Sequence, residues 1–366
     1  MNFEFNEDQN LLREQTLGFL KENCPTSAVR AVLDGDVEYD KDLWNKIIEM
    51  GYTATVIPEE FGGLGLSYLE LSVIAEELGR AVAPVPFSSS VYLATEAILL
   101  AGSQEQKEEW LPKLAQGEVI GTFAISEGPG TPTKSNLKTE FRDGKISGVK
   151  NPVSDGMAAD FSIVLANNGL YIVDLNDAGV NRESVRTIDF SRGHSRIEFS
   201  SANAEALGDP SDGWDLTQKI LDRAAVLFAW EQSGGAQAAL EMAKEYAMGR
   251  YAFGRSIASY QAIKHKLANM YVKNTLARSN CYYGAWALDT DAAELPLAAA
   301  TARVSASQAY YFASKENIQT HGGMGFTWEF DCQFYFRRAK LLAVNIGSER
   351  MWQDKLISAV EKSNVA

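Results

Sequence analysis

The sequence predicts an α+β chain: an N-terminal helical domain, a small central antiparallel β domain and a C-terminal helical bundle. Three observations carry this. Apolar residues recur at helical spacing before about residue 115 and again after Trp214. Between them lie short β-type runs broken by Gly, Asn and Asp clusters. The length, 366 residues, is more than one ordinary hydrophobic core organises. The expected domains are 1–115, 116–213 and 214–366.

The first segment opens on Phe5-Asn6-Glu7-Asp8, a capped helix start, with Leu11, Leu12, Phe19 and Leu20 following near helical spacing. Asp42–Met50 and Tyr68–Leu78 repeat the pattern. Pro58-Glu59-Glu60-Phe61-Gly62-Gly63 between them is turn-rich. The β runs are Gly121–Ser126, Phe161–Leu165, Leu170–Val173 and Arg196–Phe199, with Asn167-Asn168-Gly169 as a turn. Long helical patterns then cover Asp215–Gly249, Tyr260–Asp289 and Leu295–Gly322, and a last one covers Ser348–Val360. Ala, Leu, Glu and Lys dominate them, as in a helical bundle.

Composition removes several function classes. Hydrophobic residues make up 46% and charged residues 22%, a globular balance. No apolar run reaches the ~18–20 residues that span a bilayer. The N-terminus lacks a basic start followed by an apolar stretch, so a cytoplasmic protein is expected. Cys24, Cys281 and Cys332 are far apart and odd in number, and His194, His265 and His321 are scattered; neither a disulfide framework nor a metal site is expected. A net charge of -14 argues against nucleic acid and anionic membranes as partners. An anionic ligand needs a local cationic or helix-terminal site.

Such features exist. Arg250 follows a long helical pattern and places a permanent cation in a loop, suited to a pyrophosphate. Gly254 permits a sharp turn there, and Phe253 packs on a ring or fills core. Gln261 offers an amide to a ligand or faces solvent at a helix start. Gly322-Gly323 after Gln319 lets backbone N–H groups approach phosphate or ribose, or simply caps a helix. His321 in that loop is expected to pack.

Taken in order, Pro58-Glu59-Glu60-Phe61-Gly62-Gly63, Arg250-Tyr-Ala-Phe253-Gly254-Arg255, Gln261-Ala-Ile-Lys-His265 and Gln319-Thr-His-Gly322-Gly323-Met-Gly325-Phe326 resemble the acyl-CoA dehydrogenases over essentially the whole chain. The resemblance implies FAD as cofactor, an acyl-CoA substrate, electron-transfer flavoprotein as electron acceptor, and removal of an α proton with transfer of a β hydride to flavin N5. It implies that Arg250 and Phe253 contact the FAD of a neighbouring subunit, and that Gln261, Gln319, Gly322 and Gly323 line the same cofactor. In the β domain, Ser126 stands where the family has a flavin-binding hydroxyl. Ser154, in Pro152-Val153-Ser154, keeps a second hydroxyl without the stacking aromatic. Pro132 stands where the family often has Ser. Both serines also read as ordinary strand hydroxyls.

The base is the departure from the pattern. The family's two acid positions fall on Ile346, in Ile346-Gly347-Ser348, and on Ala224, with Ala225 in place of the usual Arg. Glu231, seven residues beyond Ala224 and flanked by Phe228 and Trp230, is the one replacement to weigh. It reads equally as an interhelical ion-pair residue. Asp222 matches a position near the CoA arm. The Asn317-to-Glu329 string resembles a subgroup acting on bulky steroid or bile-acid side-chain thioesters, whose members often form α2β2 heterotetramers. Three readings follow: an acyl-CoA dehydrogenase, a non-catalytic chain that completes a partner's FAD site, and a homotetramer whose base is Glu231.

Overall fold

The computed structural model describes residues 5–35, 37–167 and 169–365, with side chains to residue 362. In chain order the helices are α1 (Glu7–Asn23), α2 (Thr26–Asp34), α3 (Lys41–Glu49), α4 (Tyr68–Arg80), α5 (Glu96–Ala101) and α6 (Gln104–Ala115). The strands β1 (Gly121–Ala124), β2 (Glu140–Arg142), β3 (Lys145–Ser154), β4 (Phe161–Leu165), β5 (Leu170–Asp174), β6 (Val180–Ser184), β7 (His194–Asn203) and β8 (Glu205–Leu207) follow. Then come α7 (Gly213–Gly249), a hairpin of β9 (Tyr251–Ala252) and β10 (Arg255–Ser256), α8 (Gln261–Asp289), α9 (Leu295–His321), α10 (Cys332–Leu342) and α11 (Glu349–Val365). The helix–sheet–helix order agrees with the predicted fold class.

Compactness cuts across that order. Among the described residues, one unit joins 5–27, 68–83 and 225–365; the other joins those within 28–67 and 84–224. The first is helical, and its core is a helical stack. The Asn6 side chain accepts from the Gln9 backbone and the Gln9 side chain accepts from the Asn6 N–H, a reciprocal cap that starts α1 where the sequence places it. The helices α4 and α7 cross with their backbones almost touching. A Cβ on Gly79 would lie 1.8 Å from the Glu231 carbonyl oxygen, and one on Gly234 would lie 1.7 Å from that of Glu76. Only glycine permits this approach.

The second unit holds two four-stranded sheets, ordered β1-β4-β5-β8 and β2-β3-β7-β6. The second is antiparallel throughout. In the first, β1 runs parallel to β4, while β4, β5 and β8 pair antiparallel. The inward faces carry Phe161, Ile163, Leu170 and Ile197, all buried. Serines 88–90 begin a wide π-type turn over Ser88–Thr95 that is wholly buried, although a run of serines reads as loop.

Cys24, Cys281 and Cys332 are buried, and none of them is in a disulfide. Burial pushes the Cys332 thiol up to about 11 and the Cys281 thiol up further. No described helix is long and apolar enough to cross a membrane.

Candidate functional site

In the helical unit, α7 ends at Gly249 and the chain turns at once into the β9–β10 hairpin. Phe253 and Gly254 form the tip, with φ of 51° and 80°. Two successive positive φ angles suit the right-handed twist of a tight hairpin, but Asn and Gly are the usual occupants. Phenylalanine there carries strain and is 99% exposed. Its own unit gains nothing from it. The hairpin itself is tied down. Ser256 Oγ donates to the terminal carbonyls of α7, at 2.8 Å from Ala247 and 3.1 Å from Met248. Tyr260 Oη donates to the Ala252 carbonyl at 3.0 Å, and Arg255 lies 4.0 Å over the Tyr260 ring. The hairpin therefore presents a fixed, exposed tip beside exposed Arg250. Gln261, also exposed, is the first residue of α8.

A second loop meets this one. His321, at the end of α9, stacks on Tyr246, in the last turn of α7, with ring centres 4.1 Å apart. Its Nδ1 lies 2.9 Å from the Asn317 carbonyl, and burial lowers its pKa. The imidazole packs. Around it Gln319 and Gly323 are exposed, and Gly322 has φ of +61°. A Cβ on Gly322 or Gly323 would meet open space, whereas one on Gly325 would lie 2.4 Å from the Ile318 carbonyl. Gly325 is a packing glycine; the other two leave the backbone accessible from outside. Arg250, Phe253, Gln261, Gln319, Gly322 and Gly323 are thus gathered on one exposed end of the helical unit.

The β unit contains the two serines. Ser126, half-buried, ends the turn after β1, and the Asn151 N–H donates to its carbonyl at 2.8 Å. The loop beyond it encloses a hollow of about 180 Å³ lined by residues including Gly128, Gly130, Thr131 and Lys138. Glu127 shapes this loop by accepting from the Lys138 and Thr139 N–H groups at 2.7 and 3.0 Å. Lys150 Nζ, fully buried, donates to Glu127 at 2.8 Å and to the Ile125 carbonyl at 3.1 Å. Burial raises the Glu127 carboxyl, but these hydrogen bonds outweigh it and leave the pKa at about 2. Burial drives Lys150 the other way, down to about 8, with Glu127 opposing. The attraction governs, because the lysine is hydrogen-bonded by both a carboxylate and a carbonyl. Ser154, half-buried at the end of β3, pairs directly across from His194 on β7. The sequence signals neither Lys150 nor His194, because each acts through a residue 23 to 40 positions away.

The positions where the resemblance places an acid are apolar and buried: Ala224 is 0% exposed and Ile346 is 5% exposed. Glu231 is 4% exposed, and its Oε1 lies 3.4 Å from Nη1 of Arg338, whose side chain is fully buried. Arg338 also donates to the carbonyls of Val82 and Ala83 at 3.3 Å. One residue on, Gln232 Oε1 accepts from Arg303 Nη1 at 2.7 Å. Arg303 also donates to Asn345 Oδ1 at 2.9 Å and to the Leu342 carbonyl, pinning the turn that carries Ile346. Burial lowers the Arg303 pKa, and the charge of Glu231 opposes the fall. Along α7, Glu231 stands 19 residues before Arg250, roughly 28 Å at helical rise. It is not part of the exposed loop cluster. Asp222 is 5% exposed on α7. Glu349 accepts from Gln308 at 2.8 Å.

The chain is similar to known proteins over nearly its whole length. The family profile "Acyl-CoA dehydrogenase, N-terminal domain" matches residues 6–118, and "Acyl-CoA dehydrogenase, C-terminal domain" matches residues 211–359. Acyl-CoA dehydrogenase IpdE2 of Mycobacterium tuberculosis is 34% identical over 98% of this chain and 98% of its own. Among solved structures, a Tcur3481–Tcur3483 steroid ACAD variant superposes with a TM-score of 0.89 at 26% identity, covering 98% of this chain and 99% of its own. The ChsE4–ChsE5 complex from Mycobacterium tuberculosis shares the fold, with a TM-score of 0.88 at 24% identity over 99% of each chain.

Proposed function

Because this chain belongs to the acyl-CoA dehydrogenase family, whose chemistry is FAD-dependent α,β-dehydrogenation of an acyl-CoA thioester, we propose that it works as one subunit of a heteromeric dehydrogenase in which a related chain carries the base. One observation carries the reading: Ala224 and Ile346 fill the expected acid positions with buried apolar side chains. An α proton needs a carboxylate or other base within hydrogen-bond reach, and neither side chain accepts a proton.

The residues present fit the cofactor. Gly322 and Gly323 offer backbone that no packing of their own unit occupies, and the Phe253 tip is exposed at a conformational cost. In this reading Arg250 neutralises pyrophosphate charge, Phe253 covers a ring, and Gln261, Gln319, Gly322 and Gly323 supply polar contacts to the nucleotide half. Ser126 and Ser154 offer hydroxyls to the flavin half, and Asp222 serves the CoA arm. Bound FAD supplies the hydride acceptor. The substrate class is a bulky, steroid-type acyl-CoA, supported by likeness to a structure described as a steroid ACAD. Electron-transfer flavoprotein is the acceptor, and the assembly is a tetramer, α2β2 in form.

The test uses the purified chain alone and mixed with a related acid-bearing chain. Its visible spectrum is followed during anaerobic addition of acyl-CoA thioesters. Bleaching only in the mixture is expected; full bleaching by the chain alone overturns the proposal. A second reading keeps the base in this chain at Glu231, favoured by a carboxylate buried beside Phe228 and Trp230. An unchanged flavin reduction rate in Glu231→Gln removes it.

A further inference from the structure

The pairing of β3 with β7 sets Ser154 directly opposite His194, and the two side chains meet on one face. Ser154 Oγ lies 3.3 Å from His194 Nε2. The other ring nitrogen, Nδ1, lies 3.2 Å from the Arg192 carbonyl oxygen. A carbonyl only accepts, so Nδ1 carries the ring proton in the neutral imidazole. Nε2 is then a bare acceptor, and the Ser154 hydroxyl must donate to it.

The carbonyl that sets this choice is itself held. Asp155, in a left-handed conformation with φ of 53°, accepts from Arg192 Nη2 and from Ser89 Oγ, each at 2.6 Å. Arg192 Nη2 also donates to Ser88 Oγ at 2.8 Å, and the Asp155 N–H donates to the Gly193 carbonyl at 2.8 Å. The whole cluster is buried, apart from half-buried Ser154 and Gly193. Burial also keeps His194 below its usual pKa, against the opposing pull of Asp155, so the ring is neutral near pH 7.

We infer that His194 is a positioning residue that commits the Ser154 proton inward and leaves Ser154 Oγ as a pure acceptor on its exposed side. The inference rests on the reading that Ser154 faces the flavin ring. A reduced flavin carries an N–H where the oxidised ring has a bare nitrogen. An acceptor that cannot donate stabilises the reduced form only. His194 therefore raises the reduction potential of flavin held at Ser154.

Two measurements test this. The first needs no cofactor and no variant of the site: ring ¹⁵N shifts in the unaltered chain, which holds only three histidines, with His194 assigned by replacing His265 and His321. His194 protonated at Nδ1 is expected; protonation at Nε2 overturns the inference. The second measures the potential of FAD in the loaded assembly. One hydrogen bond changes the reduced-to-oxidised ratio by about tenfold, or about 30 mV for a two-electron couple. Ser154→Ala and His194→Phe should each lower the potential by about that amount, and the double variant by no more than Ser154→Ala alone. If Ser154→Ala shifts it and His194→Phe does not, the positioning role fails while the cofactor reading stands. If neither moves it, Ser154 does not face the flavin, and the inference falls with that reading.

Discussion

A charge in a dry interior is stable only while its counter-charge stays. Glu231 and Arg338 are both buried, 3.4 Å apart. Taking away one side of such a pair costs about 3–5 kcal/mol, because the other remains desolvated. Glu231→Ala should therefore lower the unfolding midpoint in urea sharply, and Glu231→Leu combined with Arg338→Met should recover much of the loss. Equal losses in the single and double variants would show that the pair contributes little. Glu127 gives a pH-dependent counterpart. Its folded pKa, about 2, lies below the ordinary carboxylate value. The stability it contributes is therefore complete above about pH 4.5 and lost as the pH falls towards 2. The Lys138 and Thr139 amides, which donate to Glu127, should lose hydrogen-exchange protection over that interval, ahead of the neighbouring strand β3.

At the scale of elements, what could be read in advance depended on sequence distance. The Asn6–Gln9 cap and the long helices α7, α8 and α9 use contacts three or four residues apart, and their bounds fall within two residues of those expected. The β unit was less legible. The strands β2, β6 and β8 are not among the expected runs, and β3 is expected only at its Pro152–Ser154 end, because their apolar alternation is weak; the parallel β1–β4 pair depends on partners 40 residues apart. The helix α10 has no counterpart among the expected elements, because its apolar face mixes with charge. In the site, the exposed loops were visible as motifs, but the counter-ion of Glu231 lies 107 residues away and nothing local announces it. Two predictions belong here. Gly79→Ala or Gly234→Ala forces a methyl into a carbonyl on the facing helix and should cost about 1–3 kcal/mol or more. A melting temperature within a degree of the parent would refute that. Phe253→Asn suits a tight turn, so it should leave the chain as stable or more so, by up to about 1 kcal/mol, while weakening FAD retention. Unchanged flavin content of the mixed assembly after gel filtration would remove Phe253 from the proposed cofactor site.

At the scale of the whole molecule, family membership rests on matches that run nearly end to end, whereas autonomy turns on two apolar side chains, Ala224 and Ile346. Mass measurement of the chain with and without a related acid-bearing chain should show a larger, flavin-loaded species only in the mixture. A stable, fully loaded homotetramer would favour the Glu231 reading instead.

The three buried cysteines have a practical consequence. Thiol reagents attack the thiolate; burial withholds the reagent from all three sites and, at Cys281 and Cys332, the charge as well. The native chain should be silent to maleimide while folded and react at Cys24, Cys281 and Cys332 only after denaturation. A cysteine introduced at exposed Tyr251, on the β9–β10 hairpin, would then be the single labelled position without any native cysteine being replaced. A dye there makes the hairpin an optical gauge, and its emission reports when another chain closes over the tip.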